Sequence, residues 1–72
     1  MPKRHSSDEI IDTLEAQGFL YVSQKGSHVK FRQTISGMTT TVIVPANKKE
    51  VPIGTFRSIV RQSKLDIADF DK

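Results

Sequence analysis

The amino-acid sequence predicts an α+β domain in which a three-stranded antiparallel sheet follows one helix and precedes another. Three observations predict this fold class. A capped amphipathic segment comes first, three segments rich in β-branched and aromatic residues follow, and a second amphipathic segment comes after a basic loop. Because the strands are joined by short connections, we expect an antiparallel sheet with both helices on one face. Residues 1–72 form a single domain, which is too small for a deep cofactor cavity beside its core.

The first helix is predicted to begin after Ser6. Glu9 lies three residues further on, which is the spacing of a capping box, and acidic residues in the first turn suit the helix dipole. The apolar residues that follow at helical spacing are Ile10, Ile11 and Leu14. Gly18 is the expected C-terminal stop. Residues 1–5, including His5, are expected to form a flexible, inert basic N-terminus.

Three strands are predicted next, from segments with β-branched and aromatic residues. Their expected ranges are 19–24, 28–34 and 39–44. Gly26-Ser27 and Ser36-Gly37 are the hairpin turns between them, and Pro45 ends the third strand. The predicted core residues of the whole chain are Phe19, Val22, Val29, Phe31, Phe56 and Ile59.

The second helix is predicted to start at Gly54, after a loop over residues 46–53 that carries Lys48 and Lys49. Its apolar residues, on one side, are Phe56, Ile59 and Val60. A row of cations, called here the helix stripe, consists of Arg57, Arg61 and Lys64. The tail over residues 65–70 is predicted to add a short helical turn. Its expected docking residues are Leu65, Ile67 and Phe70.

Composition narrows the class of protein. The chain has no cysteine, which excludes a disulfide framework or a thiolate zinc site and fits a reducing cytoplasm. The longest apolar run, residues 42–44, is far too short to span a membrane, and the first residues lack the apolar core of a signal peptide. We therefore expect a soluble cytoplasmic protein without a membrane partner.

The charge is unevenly distributed along the chain. The net charge is +3, but residues 25–64 carry +7, while residues 1–24 and 65–72 carry −2 each. A basic middle between acidic ends is typical of a surface that binds a polyanion, most often nucleic acid. Charge alone leaves a second interpretation open, in which these cations only form a solvated surface.

Residues 28–32 alternate between polar and apolar side chains, which indicates a strand with one buried face. The polar positions are His28, Lys30 and Arg32, and the apolar positions are Val29 and Phe31. One imidazole and two cations should therefore project side by side from the exposed face, directly after the Gly26-Ser27 turn. Such a row can bind a phosphodiester and present to it a group that titrates near neutral pH.

Several local motifs resemble those of the HicA family of bacterial toxins. The matching stretches, in the family's order and spacing over about residues 8–65, are Gln17-Gly18-Phe19, Lys25-Gly26-Ser27-His28 with Phe31, Thr41–Pro45 and Gly54–Gln62. The resemblance implies a double-stranded-RNA-binding-domain-like fold and a metal-independent endoribonuclease that cleaves mRNA and is silenced by a HicB-type antitoxin. The family's catalytic histidine falls on His28. Many members carry a second histidine where this chain has Asn47.

These expectations assign roles to particular residues. RNA supplies its own 2′-hydroxyl nucleophile, so His28 need only act as a general acid or base, and nearby cations can stabilise the transition state. The second group in proton transfer is left open between a lysine, water and the substrate. Gly26 and Ser27 form the supporting turn. The residues predicted to bind RNA are Lys25, Lys30, Arg32, Lys48, Lys49, Arg57, Arg61 and Lys64.

Several features of the sequence have a simpler structural explanation. Ser27 is better explained as a turn residue than as a nucleophile, because no acid lies near His28 in the sequence to complete a triad. The chain has no credible cluster of metal ligands, and no cofactor is expected. Tyr21 is the one aromatic residue considered for a base contact. The alternative functions are a non-catalytic RNA-binding module and a protein-interaction domain, and the protein alone is expected to be a monomer or weak dimer.

Overall fold

The computed structural model describes residues 4–71 and confirms the predicted α-β-β-β-α order. The elements are α1 (Ser7–Ala16), β1 (Leu20–Lys25), β2 (His28–Ile35), β3 (Met38–Pro45), α2 (Ile53–Ser63) and a 3₁₀ helix (Ile67–Phe70). The flexibility predicted for residues 1–3 lies outside the described residues. Among the helices of residues 4–71, none is long and apolar enough to cross a membrane.

Helix α1 has the predicted caps at both ends. The Ser6 side chain accepts a hydrogen bond from the Glu9 amide at 3.1 Å, and the Glu9 carboxylate accepts one from the Ser6 amide at 3.0 Å. Gly18, with φ +96°, follows the C-cap residue Gln17. A β-carbon at Gly18 would lie 2.8 Å from the Gln33 Nε2 atom, which donates to the Gln17 carbonyl at 2.5 Å. Both the positive φ angle and the lack of room for a β-carbon therefore favour glycine at position 18, where the helix ends.

The sheet has the order β1-β2-β3, with both neighbouring pairs antiparallel. Two-residue turns join the strands, as predicted. Gly26, the first central residue of the first turn, has φ +59°, the value that a type II′ turn requires there. Ser36 and Gly37 have φ of 51° and 79°, and positive φ at both central residues is typical of a type I′ turn.

One face of the sheet packs against both helices and forms the core. Alternate residues of β2 and β3 point into it, which is the expected consequence of the strand period of two. The buried apolar residues are Ile10, Leu14, Phe19, Val29, Phe31, Val42, Val44, Val51, Phe56, Ile59 and Phe70. Five of the six predicted core residues are thus confirmed. Burial of α1 and α2 on the same side leaves the other face of the sheet uncovered.

The prediction that Val22 belongs to the core was wrong, because Val22 is 40% exposed. Tyr21 pairs with Phe31 and Ser23 with Lys30, so the register shifts across Val22. Such a β-bulge adds one residue to the edge strand and leaves it without a direct partner. The extra residue turns the Val22 side chain away from the core.

The tail docks through Phe70 and Leu65 but not through Ile67. Phe70 is buried, Leu65 packs against the core, and Ile67 is 49% exposed. The prediction for Ile67 was therefore wrong. Ile67 is the first residue of the 3₁₀ helix, and its side chain lies largely in solvent.

His5 is only 3% exposed, so the prediction that it is inert and mobile was wrong. Its ring stacks on Phe56 with centroids 4.2 Å apart and planes at 8°. Its Nε2 atom lies 2.9 Å from the Phe70 carbonyl oxygen and 3.2 Å from a carboxylate oxygen of Asp71. Because a carbonyl can only accept, Nε2 carries the proton and donates. We call this group of His5, Phe56, Phe70 and Asp71 the termini clasp.

Candidate nucleic-acid interface

The uncovered face of the sheet carries the predicted row of His28, Lys30 and Arg32. Val29 and Phe31 are buried beneath the helices, so the residues that alternate with them along β2 must project to the opposite side. His28 and Arg32 are exposed and Lys30 is half-buried. Successive members of the row have Cα atoms about 6.7 Å apart, since each strand residue rises about 3.3–3.4 Å.

Residues of the neighbouring strands extend this row into a surface. Directly opposite residues of an antiparallel pair share one face of the sheet. On β1 the partners of the row are Lys25 for His28, Ser23 for Lys30 and Leu20 for Arg32. On β3 they are, in the same order, Pro45, Ile43 and Thr41. We call these nine residues the open face.

The charged residues of the open face, Lys25, Lys30 and Arg32, are all positive. None of the strands β1, β2 and β3 contains an aspartate or a glutamate. The acidic residues lie instead in α1, in the loop after β3 and in the tail. They are Asp8, Glu9, Asp12, Glu15, Glu50, Asp66, Asp69 and Asp71. The cations of the open face therefore lack acidic neighbours on the sheet, which favours binding of an anion there.

The turn before His28 is attached to the chain that follows β3. The Ala46 amide donates to the Ser27 carbonyl at 2.7 Å, and the Gln24 side-chain amide donates to the Gly26 carbonyl at 3.1 Å. A β-carbon added at Gly26 would meet nothing within 4 Å. His28 therefore lies at a braced corner of the sheet that is open to solvent.

The basic loop, residues 46–51, lies at the same end of the sheet as His28. The buried hydroxyl of Ser7 donates to the Pro45 carbonyl at 2.6 Å and accepts from the Lys48 amide at 2.9 Å, so α1 holds the loop. The side chains of Lys48 and Lys49 are exposed. The role of Ser7 was not predicted from the sequence, because Ser6 alone explained the capping signal.

A depression of about 270 Å³ lies beside this loop. Its lining residues are Ser6, Asp8, Asn47, Lys48 and Lys49. Asn47 has φ +58° and stands two residues after Pro45, the partner of His28 in the sheet. Asn47, where the resemblance implies a second histidine, therefore lies near the His28 corner.

The helix stripe lies in the helix layer, not on the open face. Arg57, Arg61 and Lys64 are all exposed, as predicted. Helix α2 ends at Ser63, so Lys64 is its C-cap, with φ +59°, and not a helical residue. The Gln62 side chain accepts from the Ile43 amide at 3.3 Å, which places α2 along the outer edge of β3. The predicted RNA-binding residues thus occupy three places: the open face, the basic loop and the helix stripe.

Tyr21 does not share a face with His28. It pairs with Phe31, a core residue, and its ring meets the Phe31 ring edge-on at 6.3 Å. Its exposed ring therefore belongs to the helix side of the edge strand. The open face offers hydroxyl groups instead of aromatic rings, from Ser23 and Thr41. Neither hydroxyl was predicted to be part of the site, although the phase of Thr41 relative to buried Val42 was available as a signal.

The described residues also bear on metal binding. Within residues 4–71, no three histidine or acidic side chains lie close enough together to hold a metal ion. His5, the second histidine, belongs to the termini clasp and lies in the helix layer. The site therefore consists of one exposed imidazole with surrounding cations and hydroxyl groups.

The sequence matches the model of a known protein family. The model for the HicA toxin of bacterial toxin–antitoxin systems matches residues 7–65, which is most of the chain. The chain belongs to the HicA family. This confirms the resemblance and makes the protein a component of a toxin–antitoxin system. No protein with a curated description matches it significantly.

The bounds of the residue range that matches the HicA model separate two parts of the structure. The matched range includes α1, the sheet and α2, and therefore His28 and all eight cations predicted to bind RNA. It excludes His5, Phe70 and Asp71, so three of the four residues of the termini clasp lie outside the matched region. The open face belongs to the part that this chain shares with HicA toxins, and the clasp joins the two ends that flank it.

Proposed function

We propose that this HicA toxin is a metal-independent endoribonuclease that cleaves mRNA and uses His28 as its general acid or base. The observation that carries the proposal is the placement of His28 at an exposed corner of an acid-free face, beside Lys25 and Lys30. Binding of a polyanion by itself requires only cations. An imidazole among them adds a group that can move protons.

The chemistry follows from the substrate. The 2′-hydroxyl of RNA attacks the adjacent phosphorus, and the bond from phosphorus to the 5′ oxygen breaks. His28 accepts the proton from the 2′-hydroxyl, which contributes about 10²–10⁴-fold to the rate. Cations of the open face stabilise the additional negative charge of the transition state. The products are a 2′,3′-cyclic phosphate, or the 3′-phosphate formed from it, and a 5′-hydroxyl.

The remaining cations bind the RNA backbone. Lys48 and Lys49 lie at the His28 end of the sheet and extend the positive surface beyond its edge. Arg57, Arg61 and Lys64 present further exposed charges from the helix layer. In double-stranded-RNA-binding folds, contacts of this kind are made mainly to phosphates and 2′-hydroxyls and depend little on sequence.

The partner in our proposal is an acidic HicB-type antitoxin that covers His28 and the open face. A face with cations and no acids suits an anionic inhibitor, because complementary charge accelerates association. Bound antitoxin and RNA would then exclude each other. We place this system in the cytoplasm, where mRNA is present, with the free toxin as a monomer or weak dimer.

The test compares wild type with His28→Ala. Expression of each in a bacterial host, followed by growth and transcript integrity, should show toxicity and RNA cleavage for wild type alone. Thr34→Ala is a matched control, since Thr34 is exposed on the same strand at its far end. Circular dichroism should show an unchanged fold for both variants. Full toxicity of His28→Ala would refute the catalytic assignment, and toxicity by RNA binding without cleavage would support the non-catalytic alternative.

A further inference from the structure

The first hairpin turn places a lysine directly beside His28. Lys25 and His28 are partners in the β1–β2 register and close the two-residue turn. Partners of this kind have Cα atoms about 4.5–5.5 Å apart, and their side chains leave the same face of the sheet. On its other side, His28 pairs with Pro45, which has no ionisable side chain. Lys25 is therefore the cation nearest to His28 across the strands.

The backbone between this pair is fixed by one backbone angle and two hydrogen bonds. Gly26 has the positive φ that the turn needs, the Ala46 amide holds the Ser27 carbonyl, and the Gln24 side chain holds the Gly26 carbonyl. Lys25 and His28 are both exposed. The two side chains thus start from fixed, adjacent positions and can reach one phosphate bound over the corner.

The proposed cleavage needs a second proton transfer. While the 2′-hydroxyl loses a proton to His28, the departing 5′ oxygen must gain one. A single imidazole cannot do both in one step. Resting on the proposed function, we propose that Lys25 is a second catalytic residue, whose ammonium group donates this proton to the 5′ oxygen.

The step balances in atoms and charge. The bond from the 2′ oxygen to phosphorus forms, and the bond from phosphorus to the 5′ oxygen breaks. The 2′-hydroxyl proton moves to His28, and a proton from Lys25 moves to the 5′ oxygen. Exchange with water afterwards returns a proton to Lys25 and removes one from His28, so no further reactant is required.

Other cations of the open face fit this role less well. Arg32 carries a guanidinium group, which in proteins is a poor proton donor. Lys30 is half-buried and stands two residues from His28, about 6.7 Å along the strand. Lys30 is therefore suited to hold a neighbouring phosphate, and it provides a matched control for Lys25.

The experiment uses two versions of one RNA oligonucleotide that wild type cuts at a mapped position. One version has the natural 5′ oxygen at the cleaved bond, and the other has sulfur there. A thiolate leaves without being protonated, so loss of a general acid matters only for the oxygen version. We expect Lys25→Ala to lower kcat about 10²–10⁴-fold on the oxygen substrate. On the sulfur substrate the loss should be much smaller, because only the positive charge of Lys25 is then missing.

Two further variants separate proton donation from charge. Lys25→Arg keeps the positive charge but donates a proton poorly, so it should behave like Lys25→Ala on the oxygen substrate and recover with sulfur. Lys30→Ala should lose the same factor on both substrates, because it removes a phosphate contact. Circular dichroism of each variant checks the fold.

The outcomes distinguish this inference from the proposed function. Equal losses for Lys25→Ala on both substrates would overturn it, because Lys25 would then only neutralise charge. Wild-type activity of Lys25→Ala or Lys25→Arg on the oxygen substrate would also overturn it. In both cases loss of cleavage in His28→Ala leaves the ribonuclease proposal standing. Failure of wild type to cut RNA, or full cleavage by His28→Ala, would remove that proposal and this inference with it.

Discussion

Replacement of His5 by alanine should destabilise the protein strongly, although His5 lies outside the HicA match and outside the open face. The variant removes the donor to the Phe70 carbonyl, which costs about 1–3 kcal/mol when the carbonyl is left buried and unpaired. It also removes the ring stacked on Phe56, which contributes about 0.5–1.5 kcal/mol beyond its buried area. We expect the free energy of unfolding to fall by about 2–4 kcal/mol.

That loss is large for so small a domain. A chain of 72 residues has a free energy of unfolding of roughly 4–11 kcal/mol, at about 0.05–0.15 kcal/mol per residue. Since 1 kcal/mol shifts the Tm of a domain of this size by about 4–8 °C, His5→Ala should lower the Tm by at least about 8 °C.

Thermal unfolding followed by circular dichroism measures this effect, with two variants for comparison. His5→Phe keeps the stacked ring and removes the buried Nδ1 atom, which has no hydrogen-bond partner, so it should cost less than His5→Ala. His28→Ala removes an exposed histidine and should shift the Tm by less than about 4 °C. Equal, small shifts for the alanine variants at His5 and His28 would refute the role of the termini clasp.

Three further predictions concern the loop, the binding surface and the reaction. Ser7→Ala should lower the free energy of unfolding by about 2–4 kcal/mol, because the buried hydroxyl makes two hydrogen bonds to the backbone. Chemical denaturation measures this change, and a value below about 0.5 kcal/mol would contradict the prediction. Neutralising Arg57, Arg61 and Lys64 together should weaken RNA binding and reduce the slope of log K against log salt by roughly 0.7–0.9 for each phosphate that is no longer neutralised; an unchanged slope would show that the helix stripe is only solvated. Cleavage should continue in chelator and leave a 5′-hydroxyl end, as end-labelling can determine, whereas activity that depends on added magnesium or yields 5′-phosphates would argue against the proposed chemistry.

Elements set by local signals could be predicted from sequence. The capping box of Ser6 and Glu9, the Gly18 stop and the Ser36-Gly37 turn each depend on residues close together in the chain. Val22 could not be placed in this way, because its bulge depends on how β1 pairs with β2. The prediction for His5 was wrong for a similar reason. Its partners are 51 to 66 residues away, and only the complete fold brings them together.

In the candidate site too, features set by nearby residues could be predicted and features set by distant contacts could not. Alternation along one strand predicted the shared face of His28, Lys30 and Arg32, and the structure confirms this placement. The neighbours of that row depend on the strand register, which a period of two does not specify. The contact of Ser7 with the loop after β3 joins residues about 40 positions apart and had no local signal.

Through the termini clasp, the backbone of the described residues forms a nearly closed loop. His5 and Phe70 are 65 residues apart in the chain but joined by one hydrogen bond, on the side of the molecule away from the open face. The folded shape therefore does not require the elements to follow one another in this particular order along the chain. A short peptide from Asp71 to Arg4, with new ends opened at the exposed Ser36-Gly37 turn, would keep every strand pairing and place the new ends far from His28. Circular permutation is thus compatible with the fold, and the face assigned to RNA would remain intact.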